Sequence, residues 1–199
     1  MADGGERARA RTGGPLSLGT PPVAAAVLTG IVAVYMALVA FGNITDFDTN
    51  RQFVRHVLAM DTTFRDPDLM WRAIESTALQ DAAYVAIIVW ETLTALVLLA
   101  ATWLWAAGLR GGDHGRARRA ATLGLVMVLL LFGLGFFAIG GEWFAMWQSS
   151  DWNGLDAAAR NVMLAAFALV VVNLPARRGD DRRTDGTPAV KAVDEERAA

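Results

Sequence analysis

The sequence predicts an all-α fold, a four-helix transmembrane bundle with short amphipathic helices in the first extracytoplasmic loop. Three observations carry that prediction. Hydrophobic residues make up 54% of the chain and charged residues only 19%, a balance foreign to a soluble domain. The charges crowd into tails and loops, which leaves four long apolar runs. Between the last two runs, the stretch from Gly140 to Gly154 carries Trp143, Trp147 and Trp152 beside Glu142 and Asp151. An indole is best placed half in lipid and half in water, so this stretch reads as the lip of a membrane protein.

Taken in order, residues 1–21 hold Gly, Ala, Arg and Pro without periodicity and are expected to form a mobile cytoplasmic tail. The membrane domain is expected over residues 22–175. Its first span, residues 23–42, matches the roughly 30 Å of a bilayer core at 1.5 Å per residue. It is too long for the apolar region of a signal peptide, although Arg7, Arg9 and Arg11 precede it. Along it, Ala26, Gly30, Ala33 and Ala37 form a small-residue stripe where another helix could approach closely.

The connection over residues 43–81 is too long to lack structure of its own. Within it, Thr49-Asn50-Arg51-Gln52 has the form of a capping box ahead of Phe53, Val54, Val57 and Leu58, which predicts an amphipathic helix over residues 49–60. Asp66-Pro67 ahead of Leu69, Met70, Trp71 and Ile74 predicts a second over residues 67–75. Both belong flat on the bundle or in the interface. Thr77-x-x-Gln80 opens the second span, residues 82–109, which is long enough to tilt or protrude. The third span covers residues 120–141 and the fourth residues 155–174. Residues 176–199 return to a charged sequence punctuated by Pro and Gly, a second mobile tail.

Basic residues orient the bundle. Arg7, Arg9 and Arg11 precede the first span. Arg110, Arg116, Arg118 and Arg119 fill the short loop between the second and third, and Arg177, Arg178, Arg182 and Arg183 follow the fourth. The short loop after Gly141 carries neither Lys nor Arg. Both termini are therefore expected in the cytoplasm, with the Trp-rich lip and the long first loop together outside.

Composition excludes several chemistries. The chain has no cysteine, which removes disulfides, Cys-ligated zinc and iron–sulfur clusters. With a net charge of −2 and no basic face, it is not a nucleic-acid binder. Of two histidines, His114 falls in the expected cytoplasmic loop, so bis-histidine haem within one chain is not expected. No P-loop, dinucleotide fingerprint or Ser-His-Asp arrangement occurs, and no cofactor is implied.

Two groups of residues invite function. Glu91 lies about 15 Å beyond Asp81 along the second span, deep in apolar sequence. A carboxylate there must be protonated, face the bundle interior or find a partner. It reads either as a proton or ligand group, or as a structural bridge to Thr92, Thr94, Asn161 or a backbone group. Trp143 and Trp147 share a side if the third span continues for another turn, either as an interfacial belt or as the wall of a pocket for a lipid or quinone-like ligand. Gly140 and Gly141 imply a close backbone approach or a kink. Glu142 and Arg160 form a candidate ion pair on the outer side. Asp46, His56 and Asp61 form a candidate outer-loop site, but His56 and Asp61 would not share a helical face, so no metal site is expected.

The segments Asn43 to Asn50, Phe53 to Asp61, Trp71 to Ile74 and Gly140 to Gly154 resemble, in order, those of a bacterial family known only as predicted small integral membrane proteins, a domain of unknown function. The resemblance covers about residues 23–174. It implies a four-span bacterial membrane protein and brings no activity, cofactor or catalytic residue; the expected location is the bacterial inner (plasma) membrane, as a multi-pass protein.

The leading expectation is an accessory or scaffold protein whose outer cap binds membrane lipid, a partner membrane protein or a second copy of itself. The alternative is a small transporter or membrane enzyme, with Glu91 below an outer mouth of Glu142, Trp143 and Trp147.

Overall fold

Four long helices form a ring, and the first interhelical connection folds over one end of it as a cap. The computed structural model describes residues 19–109 and 113–174; residues 1–18 of the first tail expected to be mobile, all of the second, and Arg110 in the expected cytoplasmic loop, lie outside them, while Pro21, expected in the first tail, already belongs to a helix. The elements are α1 (Pro21–Thr45), α2 (Phe47–Ala59), α3 (Thr77–Gly108), α4 (Gly115–Leu129, continuing through Leu130–Trp143) and α5 (Leu155–Asn173). All but α2 are long and apolar enough to cross a membrane. No strand occurs among the described residues.

The first three long helices outrun the apolar runs that revealed them, because hydropathy reports the thickness of lipid and not the reach of backbone hydrogen bonding. α1 begins on Pro21-Pro22, where a missing N–H is harmless, and runs on to Thr45. α3 packs between α1 and α4, and α5 closes the ring against α4 and α1. The core contains Met36, Leu98, Trp105, Leu125 and Val128 among many buried alanines. Small residues matter here because helices in lipid associate by close contact and gain no hydrophobic drive. Gly124 is the clearest case, since a Cβ there would lie 2.6 Å from Leu98 Cδ2. On α1 the buried line runs through Ala25, Thr29, Ala33, Met36 and Ala40. Of the expected small-residue stripe, Gly30 meets the Thr102 methyl, which a Cβ would touch at 3.4 Å.

Two elements of the cap differ from expectation. α2 starts at Phe47, and Thr49 does not cap it: the Thr49 hydroxyl donates to Asp46 Oδ1 at 2.9 Å. Because α1 persists to Thr45, a single break at Asp46 separates the helices, and residues 49–52 are already inside α2. The second expected helix is one 3₁₀ turn, Met70–Arg72. Asp66 does not cap it: its Oδ1 accepts from the Asp68 N–H at 3.0 Å in a turn ahead of the 3₁₀ turn, whose own N-cap is Leu69. The Ile74 N–H is then drawn away to Leu58 O at 2.8 Å, which ends any helical path. Gln80 likewise donates to Ile74 O at 2.7 Å, across the start of α3.

The third span changes character halfway. From Leu130 to Trp143 it is a π-helix, wider than the α-helix below it, and it ends with the Phe144 N–H bonded to Ile139 O at 3.0 Å. Such turns are rare and occur mainly as short bulges at functional sites. α3 packs along the α-helical part of α4, whereas the π-helical part leans on α5. A cleft therefore opens between α3 and the upper third span, and α2 lies across it.

Candidate functional site

α2 is amphipathic in the way its sequence dictates. Phe53, Val54, Val57 and Leu58 point into the cleft, while Arg51 and Arg55 both reach Asp81 at the start of α3. Arg51 Nε donates to Asp81 Oδ1 at 2.8 Å and its Nη2 to Oδ2; Arg55 donates from Nε and Nη2, each at 3.1 Å. Two forked guanidiniums on one carboxylate fix both the position and the roll of α2. The hydrogen bonds it donates to Asp81 hold the Arg51 guanidinium above its ordinary pKa.

Beneath α2 the cleft is a cavity of about 340 Å³. α3 supplies Ala83, Ala86 and Ile87; the π-helix supplies Leu131, Gly135, Phe136, Ile139 and Gly140; Phe144 and Met146 complete the wall. The π-helical residues recur every four or five positions, the spacing a wider helix needs to keep one face on the cavity. Every lining side chain is apolar. A water there would lack the two to four polar partners it requires, so the space suits an apolar occupant. Its volume falls in the ~300–1,000 Å³ range of small-molecule pockets.

The rest of the cap is latched to the Trp-rich lip. Met60, Phe144 and Ala145 form a small core with Leu69, Met70 and Ile74 packed on it. The Phe64 N–H donates to Gln148 Oε1 at 3.0 Å, and the Thr62 and Ser149 hydroxyls lie 2.8 Å apart. Phe64 meets Trp147 edge-on at 6.0 Å, and Trp71 meets Trp143 at 5.5 Å. Arg72 stacks on both of the latter rings, with its guanidinium carbon 5.6 Å from the Trp71 centroid and 5.0 Å from that of Trp143. Met60, Arg65 and Ala145 all take left-handed backbone conformations (φ 52°, 55° and 51°). Each costs a non-glycine residue about 1 kcal/mol or more and is retained where surrounding contacts over-determine it.

The expected site residues do not converge. Glu91 is buried, and its Oε2 accepts from Asn43 Nδ2 at 2.6 Å. Asn43 is held in turn by Tyr84, whose hydroxyl donates to Asn43 O at 3.1 Å. Glu91 thus bridges α3 to α1 and not to Thr92, Thr94 or Asn161, and it is not part of the cavity wall. Glu142 and Arg160 are both exposed and form no ion pair; the helix ends at Trp143, so Glu142 remains on the rim. Trp143 and Trp147 do not share a helical side, because Ala145 turns the chain into a separate 3₁₀ turn, Met146–Gln148.

His56 and Asp61 do meet, contrary to the spacing argument. α2 stops at Ala59, and Met60 in its left-handed conformation swings Asp61 back until its Oδ2 accepts from His56 Nδ1 at 2.7 Å. The imidazole also stacks on Trp152 at 4.5 Å. Asp46 sits at the other end of α2, about 15 Å from His56 by the helical rise, so the three do not form one site. Among the described residues no group of three His, Asp or Glu side chains could hold a metal.

Sequence reasoning missed Asn43, Asp81 and Arg72 as positioning residues, and Phe136 as a cavity wall. Asn43 carried one signal, a lone amide at the end of an apolar span. The four-to-five-residue recurrence in the third span was another.

A family model described as predicted small integral membrane protein (DUF2165) matches residues 22–175. No curated protein and no solved structure matches the chain.

Proposed function

The chain belongs to the family of predicted small integral membrane proteins, and from that premise we propose that it is an accessory membrane protein holding the apolar chain of a membrane lipid beneath α2. The observation that carries this reading is the all-apolar cavity of about 340 Å³, roofed by a helix that ion pairs pin in place. Each CH₂ moved out of water contributes about 0.8 kcal/mol, but from a bilayer the gain comes from contact with the walls, so the site selects by shape.

Placed in a bacterial plasma membrane with both termini cytoplasmic, the cap lies in the outer leaflet, with Trp71, Trp143 and Trp147 exposed at the interface. A carboxylate-driven transporter finds less support. Glu91 lies outside the cavity wall and holds Asn43 in the manner of a structural bridge between spans.

Filling the cavity tests the proposal. Ala86→Trp and, separately, Ala83→Phe should abolish the lipid that co-purifies with wild-type protein in mild detergent, as read by native mass spectrometry, while helical content persists. Lipid retained equally by wild type and both filled variants would refute it.

A further inference from the structure

The cap contains a cation with no anion beside it among the described residues. Arg51 and Arg55 share Asp81, whereas Arg72 has no carboxylate within 4.0 Å among the described residues. Among the described residues its side chain makes one hydrogen bond, a long one from Nη1 to Trp143 O at 3.4 Å, and its buried Nε has no partner. Stacking on Trp71 and Trp143 nevertheless fixes the guanidinium plane, and those rings are 70% and 45% exposed. Two exposed indoles at a membrane boundary place the cation at the level of lipid headgroups.

The same segment adjoins the cavity. Phe144, next to Trp143, is part of the cavity wall, and Leu58, another wall residue, accepts the backbone bond from Ile74, two residues beyond Arg72. Headgroup-level charge and chain-sized cavity therefore belong to one structural unit. We infer that the cap selects an anionic, phosphate-bearing amphiphile, whose phosphate pairs with Arg72 between the two tryptophans while its chain enters the cavity beneath α2. Arginine suits this role because its fork matches phosphate oxygens two at a time. The inference rests on the lipid-binding reading above and adds headgroup selection to it.

The test offers full-length protein an equimolar mixture of phosphatidylglycerol and phosphatidylcholine with identical chains and reads the retained lipid by native mass spectrometry. Wild type should enrich the anionic lipid about fivefold, the factor one basic residue supplies near a charged surface. Arg72→Gln should lose the enrichment yet retain as much total lipid, and Arg72→Lys, which keeps the charge without the fork, should enrich less than wild type. Arg116→Gln, at the opposite end of the bundle, should leave the enrichment intact. Thermal melts of each variant report folding.

Equal retention of both lipids by wild type would overturn headgroup selection and leave chain binding standing. So would an enrichment that survives Arg72→Gln or disappears with Arg116→Gln. An enrichment abolished by millimolar inorganic phosphate would show a free-ion site and overturn the amphiphile. Loss of all lipid from wild type would instead overturn the chain-binding reading itself.

Discussion

The two ends of this bundle solve the packing problem in opposite ways. Away from the cap, α3 and α4 are in direct contact: Leu98 lies over Gly124 with no room for a methyl, and Trp105 fills the space toward His114, their rings 5.5 Å apart. At the cap end the third span widens into a π-helix, leans on α5 and leaves a void that the core does not fill. There a small apolar core around Met60 is joined by polar and aromatic contacts: Arg51 and Arg55 on Asp81, Thr62 beside Ser149, Trp71 on Trp143. One end is closed by shape and the other is bridged by latches around a space. That contrast is why the proposed lipid site lies at the cap end.

The contrast can be broken most severely at the tight end. Gly124→Val places a side chain where a Cβ already meets Leu98 at 2.6 Å, and overpacking of this kind costs about 1–3 kcal/mol. Thermal unfolding in detergent should show the largest loss of any single change named here, and adding Leu98→Ala should recover part of it. Unchanged stability would mean that the two halves are packed alike.

Asp81→Asn attacks the latches instead. It removes the charge that two arginines share and leaves them facing each other. Hydrogen exchange should then accelerate across residues 47–59 while α4 and α5 keep their protection. Uniform acceleration over the whole bundle would show that cap and core are one cooperative unit.

Glu91→Gln should have the smallest effect. Its Oε1 can still accept from Asn43 Nδ2, and interhelical hydrogen bonds in membranes average about 0.6 kcal/mol. A denaturant titration should register a loss within about 1 kcal/mol; a loss of several would make the Asn43–Glu91 bridge a principal support of the α1–α3 contact.

Much of this arrangement was legible in the chain. The apolar runs placed all four spans, because lipid excludes unsatisfied backbone and only a helix of bilayer length satisfies its own. The apolar face of Phe53, Val54, Val57 and Leu58 placed α2 and its inward side. The glycines before Trp143 signalled an irregularity, though not a π-helix. The partners were not legible: Asn43 and Glu91 are 48 positions apart, and Thr62 and Ser149 are 87 apart. An α-helix continued through Met60 would hold His56 and Asp61 on different faces; the left-handed conformation of Met60 ends α2 and brings them together.

The sequence by itself determined that the chain is helical, that four segments are long and apolar enough to cross a membrane, and that an amphipathic helix and an aromatic lip lie at the same end. These follow from local periodicity and from composition read against the thickness of a bilayer. Only the tertiary structure decided that α3 and the third span part at that end, that the void between them is wholly apolar, and that Arg72 has no anion beside it among the described residues. Those facts depend on which faces meet across long separations in the chain, and no local rule encodes that.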